Sequence, residues 1–466
     1  MPAPDVPIGV ATRRDPAAPV LFPVVRPGAR SRAGWWPPMA VAALAVAAGA
    51  GATHGQSGPV LEAMIESRVT TVASGVYAEP VVAVDPTDPD RMVTAAIELR
   101  EPHSDAWQDR QTVVVFTTDD GGKSWTPRPV GGLPGTWVAG DPWLAWDGSR
   151  VHLAAIVAES LTRRGAVQFT GVFTSGDGGR TWRGPERPFP DSTMQDHPVI
   201  AVRGAAVVVA GSIADRTGDG VYVARTSGPT FEPADVRRVE PGRAQTNLGG
   251  AALLADGAVV VTYYTMRPPR RYAARRLDPT GAAGPEAVLA EDILPVGFPP
   301  VAASPGGDRV YTLWAEGPEP AITLRLAVSG DGGASWVPGA TIEPAPRERP
   351  RTLPALAVSP SGAVAAVWQE FAAAGDCTFL HGAVSTDGGR SFGPPTRLSR
   401  QASCFGTEAN GAAAYRFRLG GGDYLGLAPS GPDAFQVVWA DSRDGTFQIF
   451  TARLEVRASR PPPPSP

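Results

Sequence analysis

Short hydrophobic runs separated by turn residues recur along most of the chain. Seven of them start in a similar way, at 79–85, 141–147, 196–202, 249–253, 299–303, 353–358 and 423–427. After a turn, each is followed by a second run, at 92–97, 151–157, 206–213, 258–264, 310–314, 363–368 and 435–439. Runs of this length bounded by Gly, Pro and Asp predict β-strands.

A third run leads into an octet that occurs four times, at 118–125, 175–182, 329–336 and 385–392. Each octet has Ser or Thr two residues before an Asp, a Gly-Gly pair after it, and an aromatic residue at its end. The glycines permit positive φ and the carboxylate can accept turn N–H groups, so the octet predicts a structural hairpin turn. The aromatic residue is expected to pack between sheets. The Asp and aromatic positions are Asp120 and Trp125, Asp177 and Trp182, Asp331 and Trp336, and Asp387 and Phe392.

The repeat predicts an all-β fold, a β-propeller of four-stranded antiparallel blades. Units begin roughly 50 to 70 residues apart, the length of one blade with its loops. Seven blades are preferred and six are the alternative, because the fourth and seventh units match the pattern weakly. Only three strands are recognisable in the seventh unit, so we expect 68–72 to supply the fourth and close the ring. The propeller is expected to span 60–456, followed by a Pro-rich tail at 457–466.

The octets resemble the Asp box of the sialidase (neuraminidase) superfamily. In that family the boxes lie on the face opposite the active site, so the resemblance implies a β-propeller with a site at the other face. It also implies a glycoside hydrolase that uses three Arg side chains, a Tyr nucleophile paired with a Glu, and an Asp acid/base. The family's first Arg lies in an Arg-Ile-Pro motif, but the matching stretch here, 76–80, contains no Arg.

Carboxylates recur where the inner strands begin and where the second strands end, and both positions are expected to face the central axis. The candidate catalytic residues are Asp141, Asp196, Glu316, Glu370 and Asp441. The candidate substrate-binding residues are Arg100, Arg216, Arg267, Arg443, Tyr264, Tyr424 and Trp107. A second candidate site is the insertion 100–110, whose Trp107 offers an aromatic platform for a sugar. The alternatives are carboxylates inherited from the ancestral repeat and solvated surface residues.

The amino-terminal segment, 1–58, carries several Arg residues before an apolar, Ala-rich stretch at 39–52. This order is typical of a signal sequence, and an uncleaved membrane anchor is the alternative. We therefore expect an exported protein, secreted, periplasmic or in the cell envelope, that meets a membrane only through this segment. Export and the placement of two loops on one face predict a disulfide between Cys377 and Cys404.

Composition excludes some classes of partner and cofactor. The formal net charge is -4 and 19% of residues are charged, so the chain has no basic field for nucleic acid. His and Cys residues show no zinc-site spacing, so no metal site is predicted and no cofactor is expected to be required. The ring of carboxylates could nevertheless hold Ca²⁺. A glycan or small-molecule ligand is expected. Whether the protein is a glycoside hydrolase or a non-catalytic propeller that binds a glycan, peptide or envelope partner stays open.

Overall fold

The computed structural model describes residues 58–72, 75–132, 135–163, 165–189, 194–215, 218–228, 230–232, 235–240, 246–293, 295–317, 322–342, 349–372, 377–406, 410–411 and 420–458. They all belong to the unit Gly55–Pro466. The expected signal sequence, apart from Gly58, lies outside the described residues, as do Arg216 and the end of the Pro-rich tail. In the described part of the chain we find no helix with the length and apolar character needed to cross a bilayer.

The described residues form seven antiparallel sheets. The first strand of the chain, β1 (Pro59–Arg68), belongs to the last sheet. The strands of each blade are given from the inner to the outer one. Blade 1 contains β2 (Val76–Asp85), β3 (Asp88–Leu99), β4 (Gln111–Thr118) and β5 (Thr126–Arg128), and blade 2 contains β6 (Val138–Trp146), β7 (Val151–Ala158), β8 (Gln168–Ser175) and β9 (Arg183–Glu186). Blade 3 contains β10 (Met194–Arg203), β11 (Ala206–Asp215), β12 (Gly218–Thr226) and β13 (Val236–Arg238), and blade 4 contains β14 (Thr246–Leu253), β15 (Val259–Thr265), β16 (Arg271–Leu277) and β17 (Ala287–Glu291).

Blades 5 and 6 contain β18 (Val301–Ala303), β19 (Val310–Glu316), β20 (Thr323–Ser329) and β21 (Val337–Pro338); β22 (Arg351–Val358), β23 (Val364–Phe371), β24 (Cys377–Ser385) and β25 (Thr396–Arg397), with β26 (Ser403–Cys404) also paired to β24. Blade 7 contains β27 (Gly426–Gly431), β28 (Ala434–Asp441) and β29 (Gln448–Ala458), and β1 is its outer strand. A 3-10 helix, Trp107–Arg110, lies between β3 and β4.

The seven sheets form a ring, so the prediction of a seven-bladed β-propeller is confirmed and the six-bladed alternative is wrong. The weak fourth unit is a complete blade, because β14 to β17 pair only with one another. Bulky side chains of neighbouring blades fill the space between the sheets, and among the largest fully buried ones are Tyr263, Trp368, Phe435 and Trp439. Because the ring is closed, each blade packs against a neighbour on both sides.

An amino-terminal strand closes the ring as expected, but the predicted position of that strand was wrong. β1 covers Pro59–Arg68 and pairs with β29 from Pro59 opposite Ala458 to Arg68 opposite Phe450. Only Arg68 of the expected segment belongs to the strand, and the Val69 N–H still donates to the Ile449 carbonyl. A register shift between Ala63 and Glu66 hides the alternation of β1 in the sequence.

All four octets adopt the same turn. The Ser or Thr hydroxyl donates to the Asp Oδ1 two residues later at 2.7 to 2.8 Å, and the hydroxyl four residues after the Asp donates to Oδ2 at 2.5 to 2.6 Å. Both glycines have φ between 68° and 87° in every copy. Trp125 and Trp182 are buried, and each indole donates to a glycine carbonyl of its own turn at 3.1 Å.

The turns define two faces of the ring. Successive strands of a blade run in opposite directions, so the octets share a face with the turns between first and second strands. Accordingly the Gly121 N–H donates to the Asp90 carbonyl, and the Gly332 N–H donates to the Asp308 carbonyl. We call this the octet face. The segments that enter the inner strands lie on the opposite face, which we call the entry face.

The predicted disulfide is confirmed. Cys377 at the start of β24 lies directly opposite Cys404 of β26, and their sulfurs are bonded. The bond holds the segment that leads towards blade 7 against blade 6.

Candidate functional site at the axial opening

Four inner strands share a local distortion near the entry face. Glu79, Asp141, His197 and Leu353 each have a positive φ, between 46° and 54°, and each is followed by a proline. Pairing with the second strand shifts register at these points. Proline has no N–H for the ladder and disfavours the α conformation before it, which explains the interruption. Such bulges re-aim side chains, here at the mouth of the axis.

The shared distortion shows which residue of blade 3 is equivalent to Asp141 of blade 2. It is His197 and not Asp196, because His197 has the positive φ and precedes Pro198. Asp196 lies one position earlier and is half-buried. The prolines were the signal in the sequence that could have aligned these positions. Alignment on carboxylates missed His197.

Four aromatic rings from different blades meet at the axis. The imidazole of His197 stacks on Phe298 with ring centroids 3.6 Å apart and an interplanar angle of 8°. Trp143 lies 5.6 Å from His197 and 5.5 Å from Tyr424. Tyr424 lies 5.6 Å from His197. We call Trp143, His197, Phe298 and Tyr424 the axial aromatic cluster. It fills the centre of the ring just below the entry face.

His197 is a neutral packing residue at physiological pH. Burial lowers its pKa to about 3, because the charged imidazolium would lose its hydration. Its backbone N–H donates to Asp141 Oδ2 at 3.3 Å. The imidazole of His197 is therefore held in the aromatic stack in its neutral form.

Tyr424 is surrounded by carboxylates. Burial and then the charges of Glu79, Asp141 and Asp423 raise its pKa well above the ordinary value, and a hydrogen bond to Glu79 adds to the shift. Its hydroxyl also donates to the Pro142 carbonyl at 3.2 Å. The phenol is thus neutral, fully enclosed and paired with a glutamate.

Tyr264 is placed in the same way. Its pKa is raised by burial, and the charges of Asp196 and Asp423 raise it further. The pKa values of two buried phenols are therefore raised by the charges of carboxylates from blades 7, 1, 2 and 3. We call Glu79, Asp141, Asp196 and Asp423 the acidic half-ring. Glu79 is buried, whereas the other three are partly exposed to solvent.

Comparisons with known proteins support the fold. No protein-family model and no curated protein matches the sequence. A protein of unknown function from Dyadobacter fermentans superposes with a TM-score of 0.50 at 14% identity, over 85% of this chain and 99% of that one. The endosialidase of phage phi92 superposes with a TM-score of 0.51 at 10% identity, over 87% of this chain and 71% of that one. The chain has the fold of a sialidase-like β-propeller. A Hadza microbial sialidase also matches, with a TM-score of 0.46 at 13% identity, over 81% of this chain and 65% of that one.

In this propeller the candidate carboxylates at the ends of second strands lie in ion pairs. In blades 5, 6 and 7 the carboxylate accepts a hydrogen bond from the indole of the tryptophan two residues earlier and pairs with an arginine. The groups are Trp314, Glu316 and Arg325; Trp368, Glu370 and Arg351; and Trp439, Asp441 and Arg443. Glu370 and Asp441 are buried, and Glu316 is half-buried. These contacts give the three carboxylates a role in packing.

The remaining candidates are scattered over the entry face. Arg267 is exposed just after β15, and the side chain of Arg100 is 59% exposed beside Glu98. Trp107 is half-buried and packs against a core cluster formed by residues of blades 1 and 7. The insertion that contains it is anchored by Asp109, whose carboxylate accepts the Leu161 N–H at 2.6 Å.

Metal ligands are not grouped in the described residues. No three His, Cys, Asp or Glu side chains there lie close enough together to hold a metal ion. The acidic half-ring is the part of the described chain that brings sequence-predicted candidates together at the axis, since it contains Asp141 and Asp196 beside Tyr264 and Tyr424.

Proposed function

We propose that the protein is a binding propeller that recognises a neutral or amine-bearing glycan at the acidic half-ring. The observation that supports this most directly is the charge acting on the two axial phenols. The charged groups that raise the pKa values of Tyr424 and Tyr264 are carboxylates from four blades. Carboxylates accept hydrogen bonds from sugar hydroxyls and attract ammonium groups, whereas they repel a carboxylate-bearing sugar.

The rigid scaffold supports the same proposal. Glu79 and Asp141 lie within inner strands, next to a proline, and not on long loops. Such backbone holds a side chain with little freedom, which lowers the entropy lost on binding. The Cys377–Cys404 bond supports export, because disulfides persist in oxidising compartments.

Binding to a glycan panel tests this proposal. We expect neutral or amine-bearing glycans to bind more tightly than sialosides in calorimetric titrations. Asp141→Asn and Asp423→Asn should each weaken that binding about tenfold, because each removes one charged hydrogen bond. Asparagine tolerates the positive φ of position 141, so folding should be retained. Preferential binding of sialosides, unaffected by either variant, would contradict the proposal.

A second candidate function is glycoside hydrolysis, and the pairing of Tyr424 with Glu79 favours it. A tyrosine paired with a glutamate, with Asp141 nearby, is part of the set of groups that the sialidase resemblance implies, which also includes three Arg side chains. The test is a screen of fluorogenic neutral glycosides, amino-sugar glycosides and sialosides. Turnover that Tyr424→Phe abolishes and Glu316→Gln leaves unchanged would establish catalysis. Absence of turnover with every substrate would leave binding as the function.

A further inference from the structure

A cavity of about 620 Å³ lies along the axis on the other side of the axial aromatic cluster. Inner-strand residues or adjoining turns from six blades line it, and Trp143, Phe298 and Tyr424 form its closed end. The four carboxylates of the acidic half-ring are not among the described residues that line the cavity. Its lining differs from that of the site proposed above, and Tyr424 is the residue that borders both.

The cavity opens on the octet face. Its rim contains Pro86, Pro89, Pro360, Pro429 and Pro432, all exposed to solvent. Pro86 follows the end of β2 and Pro432 follows the end of β27, so both lie in turns of the octet face. Proline fixes the backbone and carries no N–H, which makes this rim rigid and poor in hydrogen-bond donors.

The lining side chains are mainly apolar. The charged side chain among the described lining residues is Asp85, and its carboxylate pairs with Arg91 at 2.9 Å and accepts a hydrogen bond from Thr87. A charged ligand inside would lose its hydration without gaining a new counter-charge. An uncharged apolar ligand would bury hydrocarbon against Val, Leu, Ala and Pro side chains.

Small residues keep the cavity open. Ala83, Ala251 and Ala355 lie on the inner strands of blades 1, 4 and 6 and line the space. Larger side chains at these positions would fill it and add packing contacts, as protein interiors usually do. The lining residues follow the chain from Tyr424 through β27 to Pro432, a span of roughly 25 Å at the rise of a strand.

We infer that this axial cavity binds an uncharged aliphatic chain, which enters from the octet face with its polar end left at the proline rim. The ligand class is a neutral single-chain lipid or long alcohol. The closed aromatic end limits the length that can enter, and the apolar wall selects against charge.

Quenching of tryptophan fluorescence by 12-bromododecan-1-ol tests the inference on the full chain. Bromine quenches nearby indoles, and Trp143 and Trp146 both line the cavity. We expect saturable quenching with one ligand per protein, displaced by 1-dodecanol, and at least tenfold weaker competition by dodecanoate. Quenching that does not saturate, or equal competition by dodecanoate, would overturn the inference without any variant being needed.

Cavity-filling variants locate the site. Ala251→Leu and Ala355→Leu should each weaken quenching at least tenfold, whereas Ala282→Leu, at an exposed turn of blade 4, should not. Asp141→Asn should leave quenching unchanged, which separates this site from the acidic half-ring. Melting curves identify any variant that fails to fold. Unchanged affinity in a folded Ala251→Leu or Ala355→Leu protein would show that the chain binds elsewhere.

Discussion

The Arg443 guanidinium donates to the Glu66 carboxylate at 2.5 Å, and the side chains of both residues are only 6% exposed. Arg443 follows β28 and Glu66 lies in β1, so the pair joins the carboxyl-terminal part of blade 7 to the strand that closes the ring. Burial alone would lower the pKa of Arg443, but its bonds and charge interactions with Asp441 and Glu66 raise it. The ion pair is part of the closure of the propeller.

We predict that Arg443→Met destabilises the protein by about 3 to 5 kcal/mol, because it leaves two buried carboxylates without their cation. Urea unfolding at pH 7 measures the change. The matched control is Arg457→Met on the same blade, whose side chain is 52% exposed and whose ion pairs should contribute less than about 1 kcal/mol. Equal stability of the two variants would show that Arg443 does not secure closure.

Asp177→Ala should destabilise the protein by about 1 to 2 kcal/mol, because it removes turn hydrogen bonds from Ser175, Thr181 and the Arg180 N–H. The binding of any glycan should stay unchanged, since the octets lie on the face opposite the acidic half-ring. Asp105→Ala, in the exposed insertion, is the control. Loss of glycan binding in a stable Asp177→Ala protein would show that the site does not lie on the entry face.

His197 should make stability fall on mild acidification. Its pKa in the folded protein is lowered by burial to about 3, whereas in the unfolded chain it is about 6.5. The unfolded state therefore binds the proton first, and stability is lost as the pH falls below about 6.5 until the folded pKa is reached. Between pH 6.5 and pH 4 the free energy of unfolding should fall less steeply in His197→Asn than in wild type. The difference between the two slopes should be about 1 kcal/mol per pH unit.

His152 and His381 also have lowered pKa values because of burial, so the wild-type curve contains their contributions. His152→Asn is the comparison for His197→Asn. Its curve should keep the His197 contribution over the whole window down to pH 4. Identical pH curves for wild type and His197→Asn would mean that the imidazole is not enclosed.

Glu370→Gln should weaken folding without affecting ligand binding. The Glu370 carboxylate is buried, pairs with Arg351 at 3.0 Å and accepts from the Trp368 indole at 3.5 Å. Neutralising the carboxylate leaves the buried Arg351 guanidinium without this negative partner, which should destabilise the protein by about 3 kcal/mol. Glu316→Gln is the control, because its Arg325 partner is 52% exposed. A change in glycan affinity with intact stability would show that Glu370 takes part in the site and not only in packing.

Replacing both Cys377 and Cys404 by Ala should destabilise the protein by about 3 to 4 kcal/mol, because the bond closes a loop between residues 27 positions apart. Thermal unfolding with and without reductant measures it. Reductant should lower the melting temperature of wild type and leave that of the double variant unchanged. A reductant effect of equal size in both proteins would assign it to something other than this bond.

Local patterns predicted most of the fold. The strands could be placed because alternation, Gly-Gly turns and short hydrophobic runs reflect interactions within a few residues. The octets form one turn in four places, since each contains its own donors, acceptor and glycines. The blade count followed from repetition even where the octet motif is lost, as in β14 to β17.

Distant pairings were harder to predict. The closing strand was expected at 68–72 and lies at Pro59–Arg68, because its register is set by β29, more than 370 residues away, and is shifted by a bulge. The sequence predicted Asp196 and not His197 at the axial position of blade 3, because a one-residue shift at a bulge changes which side chain faces the axis.

The sequence by itself determined most of the strands, the turns, a preference for seven blades and the presence of recurrent acidic positions, because these depend on local chemistry that repeats. Only the tertiary structure decided what each acidic group does. Glu370 and Asp441 meet an arginine and an indole, whereas Asp141 and Asp423 meet a buried phenol at the axis. That difference comes from which side chains neighbouring strands and blades bring within a few ångströms, and long-range packing sets those distances.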